Sequence, residues 1–196
     1  MPPLPCTELS PAQQGQLLEI ARHSIAQGFA THAAPQLELG DYDSELREAA
    51  AVFVTLTREG DLRGCVGSLQ ANDALVQAVA SAAFNSAFLD RRFEPVRPDE
   101  LDLLNIEISV LSPLQPLQVE SRAALLECLR PGIDGLVIED LGRRATFLPK
   151  VWEKIDSPQA FVEQLLLKAG LPAGYWSDSI RVQCYQCLTF AENQAE

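Results

Sequence analysis

Ala51-Val52-Phe53-Val54-Thr55-Leu56-Thr57, then Arg58-Glu59-Gly60-Asp61, then Leu62-Arg63-Gly64-Cys65-Val66-Gly67-Ser68-Leu69 is the stretch that decides the fold. The first seven residues are rich in β-branched and aromatic side chains, which suit a pleated surface. Glu59-Gly60 offers a tight turn, and the chain returns as a second strand. Two strands joined this closely form a hairpin, so their pairing is antiparallel. Within the returning strand, side chains alternate between faces. Arg63 and Cys65 are therefore expected on one face, about 6.6 Å apart at a rise of about 3.3 Å per residue, with Leu62 and Val66 on the other, toward the core. Gly64 and Gly67 weaken a strand and mark a bulge, a bend or a close approach by another group.

Outward from the hairpin, the spacing predicts helices on both sides. Ser10-Pro11-Ala12-Gln13 has the pattern of a capping box with Pro in the first turn, and Leu17, Leu18, Ala21, Ile25 and Phe29 follow at helical intervals. The first helix is expected to end at Ala33-Ala34-Pro35. Asn72-Asp73 is read as the cap of a second helix running to about Asp90. Its polar positions Gln77, Ser81 and Asn85 form one narrow stripe, and its many alanines allow close approach of neighbouring backbone. Leu103–Leu111 alternates, with Leu104, Ile106, Ile108 and Val110 facing inward and Glu107 and Ser109 facing away. The second half repeats the order: Ser121 caps a short helix, Ile133–Glu139 and Arg144–Leu148 flank a turn, Ser157-Pro158 opens a helix that ends at Ala169-Gly170, and Ile180–Phe190 is one last strand. Each half reads helix, hairpin, helix, strand. The fold class is α+β: a largely antiparallel sheet, flat or curved, with helices packed on it. The domain reading is a tail over 1–9, one domain over 10–192, in one piece or in two lobes over 10–115 and 116–192, and a tail over 193–196.

Composition limits the function. The 196 residues are 47% hydrophobic and 21% charged, ordinary for a folded chain. Fifteen Lys and Arg against 27 Asp and Glu give a net charge of −12, which repels phosphate backbones and anionic membranes, so no nucleic-acid or membrane partner is expected. No apolar run approaches the ~20 residues of a membrane span. The N-terminal MPPLPCTELSP has no basic or apolar leader region. Five scattered cysteines (Cys6, Cys65, Cys128, Cys184, Cys187) do not suggest a disulfide framework. The expected compartment is the reducing cytoplasm.

The sharpest chemical feature is Arg63-Gly64-Cys65-Val66-Gly67. A guanidinium beside a sulfur favours thiolate and can bind a carboxylate or phosphate through its planar fork. The same residues also describe an inert buried cysteine beside a surface arginine. Glu107 could pair with Arg63 if its strand lies alongside. Lys168 in a helix's last turn suits the dipole with no further role. Cys184-Tyr185-Gln186-Cys187 spells a metal or redox motif. On a single strand, however, residues three apart point to opposite faces, and no second ligand pair lies nearby, so no metal site is expected. His23 and His32, nine apart on a helix, face opposite sides, and either could serve Cys65 only if that helix packs over the hairpin.

Five blocks together carry a family resemblance. Leu62 to Gly67 looks like the signature Leu-Arg-Gly-Cys-Ile-Gly of the AMMECR-type domain family, whose bacterial and archaeal members are called AmmeMemoRadiSam system protein A. Ala82-Ala83-Phe84 with Asp90-Arg91-Arg92-Phe93-Glu94-Pro95, Ile106 to Pro113, Gly132 to Leu136 with Phe147-Leu148-Pro149, and Lys168 to Pro172 with Trp176 match in order, over about residues 10–192. Arg91, Glu94 and Leu166 depart from the pattern, and the last removes a cysteine that relatives carry before Lys-Ala-Gly-Leu. The resemblance implies an α/β domain in two unequal lobes with the Arg-Gly-Cys block near a cleft. It also implies Memo-like and radical S-adenosylmethionine proteins as partners. It supplies no reaction and no cofactor. Three readings stay open. In the first, a small anionic ligand or cofactor is held by Arg63 and Arg92, reached through Gly64 and Gly67, with Glu107 and Lys168 as further site residues. In the second, Cys65 is the nucleophile of an enzyme. In the third, the chain is a scaffold without chemistry.

Overall fold

The computed structural model describes residues 8–192; Cys6 and the 193–196 tail lie outside the described residues. The capping box forms as the sequence requires. Ser10 Oγ accepts from the Gln13 amide at 3.3 Å, and the Ser10 amide donates to Gln13 Oε1 at 2.9 Å. Helix α1 (Pro11–Thr31) buries Leu17, Ile20, Ala21, Ser24, Ile25 and Gly28. It stops earlier than expected, because His32 adopts a left-handed conformation with φ 55°. A short helix, α2 (Ser44–Arg47), leads into strands β1 (Ala51–Arg58) and β2 (Asp61–Gly67). Helix α3 (Leu75–Phe88) and strand β3 (Leu104–Leu111) follow. Asn72 and Asp73 do not cap α3. Its cap is Ala74, with no side-chain bond, and the Leu75 amide donates instead to the Glu48 carbonyl at 2.8 Å.

The second half contributes β4 (Gln115–Pro116), α4 (Arg122–Cys128), β5 (Gly135–Asp140), β6 (Arg143–Phe147), α5 (Pro158–Lys168) and β7 (Arg181–Tyr185); β8 (Cys187–Ala191) closes the chain. The antiparallel α+β reading holds, but as two four-stranded sheets in place of one, ordered β2-β1-β3-β8 and β4-β7-β5-β6. The strand expected over 180–190 is two strands interrupted at Gln186. There the Gln186 amide donates to Ser112 Oγ and its carbonyl accepts from the Ser112 amide, each at 2.9 Å, so Gln186 leaves the ladder. One compact unit holds residues 8–111 and 188–192, and the other holds Ser112–Cys187. The division therefore falls at Leu111/Ser112, and the last strand returns to the first unit.

The repeated element order has a physical counterpart. In each sheet the third strand (β3 or β7) pairs with the first strand of the hairpin, which leaves the second (β2 or β6) at the edge. The strand after each third strand, β4 or β8, then joins the other half's sheet. In the first unit, Val52, Val54, Leu56, Ile106, Ile108 and Val110 pack against α1 and α3. The alanines of α3 let α1 come close, and Ser24 Oγ donates to the Ala80 carbonyl at 2.7 Å. In the second unit, Leu136, Ile138, Phe161, Leu165 and Trp152 form the core, with the Trp152 and Phe161 rings stacked at 3.8 Å.

Both hairpins turn through two residues with positive φ: Glu59 (53°) and Gly60 (88°), Leu141 (52°) and Gly142 (72°). A two-residue turn of this hand matches the twist of the flanking strands, but a leucine is strained at its first position. Leu141 is 70% exposed, so little packing offsets that strain. Leu141→Asn is expected to stabilise the protein by about 0.5–1 kcal/mol, because asparagine tolerates the left-handed region. The denaturant midpoint measures it.

Candidate functional site

The Arg-Gly-Cys-Val-Gly segment forms edge strand β2, and its register with β1 sets which way each residue points. Cys65 lies opposite Thr55, Gly64 opposite Leu56 and Val66 opposite Val54. The register then shifts, so that Leu62 lies opposite Thr57 and Arg63 is the extra residue of a bulge. The shift overturns the expected position of Leu62. It shares the Thr57 side of the sheet, away from the core, and is 44% exposed.

Gly64 and Gly67 are indeed places of close approach, and the approaching groups belong to the protein. A Cβ on Gly64 would stand 2.2 Å from the Ser86 carbonyl oxygen of α3, and one on Gly67 would stand 2.2 Å from the Val52 carbonyl oxygen. At this contact the Ser86 hydroxyl enters the ladder, donating to the Val54 carbonyl at 2.8 Å and accepting from the Val66 amide at 2.9 Å. Helix α3 thus sits directly on the hairpin.

The outer edge of β2 is held by side chains. Asp90, two residues beyond α3, accepts from the Cys65 amide at 2.9 Å. Arg92 grips the same carboxylate through Nε (2.9 Å) and Nη2 (2.6 Å) and donates from Nη2 to the Cys65 carbonyl at 3.0 Å. The Arg92 hydrogen bonds, aided by the Cys65 amide, hold the Asp90 carboxyl well below the usual carboxylate range, against the opposing effect of burial. Arg63 is engaged in the same manner with the buried Glu100. Its Nε and Nη2 each lie 3.0 Å from that carboxylate, and its Nη1 donates to the Glu94 carbonyl at 2.9 Å. The Arg63 bonds, against desolvation and with help from the Arg97 amide and Arg58, bring the Glu100 pKa down to about 2. The partner of Arg63 is therefore Glu100 and not Glu107, because β1 lies between β2 and β3.

Cys65 Sγ lies 3.2 Å from Thr55 Oγ1. Glu107 lies opposite Thr55 on β3, so Cys65, Thr55 and Glu107 form a half-buried row across the sheet. This row is on the face away from α1 and α3. His23, exposed on α1, and His32, exposed at its C-terminal cap, belong to the opposite side. Lys168 sits in the second unit, where its Nζ donates to the Thr146 carbonyl at 2.9 Å and lies 5.1 Å from the Phe147 ring centroid. Cys184 is buried on β7 and Cys187 opens β8 in the other sheet. Among the described residues, no group of three or more His, Cys, Asp and Glu is placed to hold a metal ion.

Sequence reasoning missed Thr55, Ser86, Asp90 and Glu100. Asp90 heads the block that contains Arg92, and Glu100 stands three residues after Arg97, whose amide it accepts at 2.9 Å. Those local signals were readable. The pairing of Glu100 with Arg63, 37 residues away, was not.

Fold and site together define a class: an α+β protein of two similarly ordered units, one of which carries a cysteine on an edge strand braced by side chains. The family model described as AMMECR1 matches residues 18–190, and the chain belongs to that family. A protein of Methanothermobacter thermautotrophicus is 36% identical over 184 residues, covering 90% of this chain and 93% of that one. A protein of Saccharolobus solfataricus is 34% identical over 186 residues, covering 91% and 81%. The chain is also similar to the crystal structure of the uncharacterized protein PH0010 from Pyrococcus horikoshii, with a TM-score of 0.84, 32% identity and 90% of each chain covered. No helix among the described residues is long and apolar enough to cross a membrane.

Two outcomes follow from this geometry. Gly64→Ala is expected to cost about 3 kcal/mol, since a rigid backbone oxygen occupies the space of the new methyl group. Gly15→Ala, in an open part of α1, is expected to gain about 0.5–1 kcal/mol. Urea unfolding of the two variants measures both. The second outcome concerns acid. Carboxylates with lowered pKa stabilise the fold above their unfolded value, and that contribution is lost as pH falls through the folded value. Glu100 departs from 4.5 to about 2, and Asp90 is lowered as well. Stability is therefore expected to fall between about pH 4.5 and 2. Glu100→Gln should flatten that slope in urea titrations at stepped pH.

Proposed function

We propose that this chain binds a small anionic ligand or cofactor beside β2, with Arg92 as the anion contact and Cys65 as a lining thiol. In this reading it acts in the cytoplasm with the Memo-like and radical S-adenosylmethionine partners that the family resemblance implies. One observation carries the ligand reading. The Arg92 side chain is 56% exposed, and its ion pair with Asp90 uses only Nε and Nη2. Its Nη1 is left for a second anion, and its Nη2, which also donates to the Cys65 carbonyl at 3.0 Å, keeps the guanidinium beside Cys65. Arg63, Gly64 and Gly67 serve as positioning residues: Arg63 fixes the bulge to Glu100, and the glycines admit the neighbouring backbone. Glu107 bounds the same sheet face through its row with Thr55. Lys168 has no part in this reading. Cys65 lines the site and is not its nucleophile, because its side-chain neighbour is a threonine hydroxyl and both imidazoles belong to the other side of the sheet.

The test follows alkylation of Cys65 by iodoacetamide in the folded protein, with Cys65→Ser to assign the modified site. Millimolar inorganic phosphate is expected to slow the reaction several-fold. Arg92→Lys, which keeps a cation for Asp90 but loses the fork, should abolish that protection. Equal protection in the variant, no protection by phosphate, sulfate or citrate, or a thiol that reacts only on unfolding would each overturn the reading.

A further inference from the structure

The second unit contains a groove of about 820 Å³, walled by the segment around Leu117 and Val119, by Cys128 at the end of α4 and by Cys184 of β7. Its volume lies in the range of small-molecule sites, which are mostly apolar with a few convergent polar groups. Among the described residues of its lining, Arg130 and Asp134 supply the only charged side chains. They are not equivalent. Asp134 is buried with both carboxylate oxygens engaged, accepting from the Arg130 amide (2.9 Å), from Nε (3.1 Å) and from Nη2 (2.6 Å). The Arg130 side chain is 40% exposed, and its Nη1 takes no part in the pair. The accessible part of the pair is therefore cationic donor surface. The two thiols add no negative charge: burial pushes the Cys128 and Cys184 pKa values up, and the Asp134 carboxylate pushes in the same direction. Protonated thiols are soft apolar lining.

We propose that this groove binds an amphipathic anion: a small molecule whose apolar body lies along Leu117, Val119 and the two cysteines, and whose carboxylate or similar head meets the Nη1 edge of Arg130. This site is separate from the Cys65 strand. Its residues all belong to Ser112–Cys187, whereas the Cys65 strand belongs to the other unit. Charge complementarity selects the head group, and the apolar wall selects the body.

Octanoate is the probe, and octylamine is its counterpart of opposite charge. Isothermal titration is expected to show saturable binding of octanoate and none of octylamine. Arg130→Lys should weaken octanoate binding about tenfold, the scale of a lost hydrogen bond to a charged group. Cys128→Trp, an exposed position whose new ring would fill the groove, should abolish binding without lowering the thermal midpoint. Arg130→Lys should leave the phosphate protection of Cys65 unchanged, which separates this site from the one beside β2. The proposal is overturned if octylamine binds as well as octanoate, if a folded Cys128→Trp protein binds normally, or if Arg130→Lys removes the phosphate protection of Cys65.

Discussion

The Asp90 carboxylate that receives the Cys65 amide is the contact on which the first unit turns. An edge strand presents backbone groups that must find partners, and a bare edge invites another chain to pair with it. Here the partner is a single side chain just past α3, itself fixed by Arg92. The bond joins the end of the helix to the strand on which that helix rests. Together with the absent side chain at Gly64, it sets where α3 lies, and therefore where Val54 and Leu56 find their core. The two arginines beside Cys65 are thus structural first. Any ligand meets what those ion pairs leave over.

Much of the architecture could be read from local chemistry. The capping box at Ser10, the hairpins at Glu59-Gly60 and Leu141-Gly142 and the left-handed Gly170 after α5 depend on residues within a few positions of one another. Alternation over Leu104–Leu111 likewise assigned the inward face. Failures came where a distant group decided the outcome. A bulge at Arg63 is a matter of pairing across strands, so simple alternation misplaced Leu62. The interruption at Gln186 arises from hydrogen bonds to Ser112, 74 residues earlier. For the candidate site, the sequence put Arg63 and Cys65 on one strand and Arg92 just after a helix, and only the family resemblance set Arg92 in the same cleft. It could not show that two of them are already matched to carboxylates, because nothing local to Arg63 points to Glu100.

The two halves solve the same edge problem with different residues. In the first, Asp90 and Arg92 seal β2. In the second, the Lys168 ammonium binds the Thr146 carbonyl of β6, and Arg143 of the same strand reaches the Gly170 carbonyl. In both cases the contact is made at the end of the helix that follows the hairpin, α3 or α5. Repetition of element order thus extends to a repeated mechanical task, although the side chains that perform it are unlike.

The exchange of trailing strands bears on how the chain is made. The first sheet is complete only with β8, whose residues are the last of the described chain to be synthesised. During translation, the N-terminal unit must wait, three-stranded and with one flank of β3 uncovered, until the whole of the intervening unit has emerged. A nascent chain arrested after residue 187 would hold every residue of the Arg-Gly-Cys segment and still lack the strand that finishes its sheet.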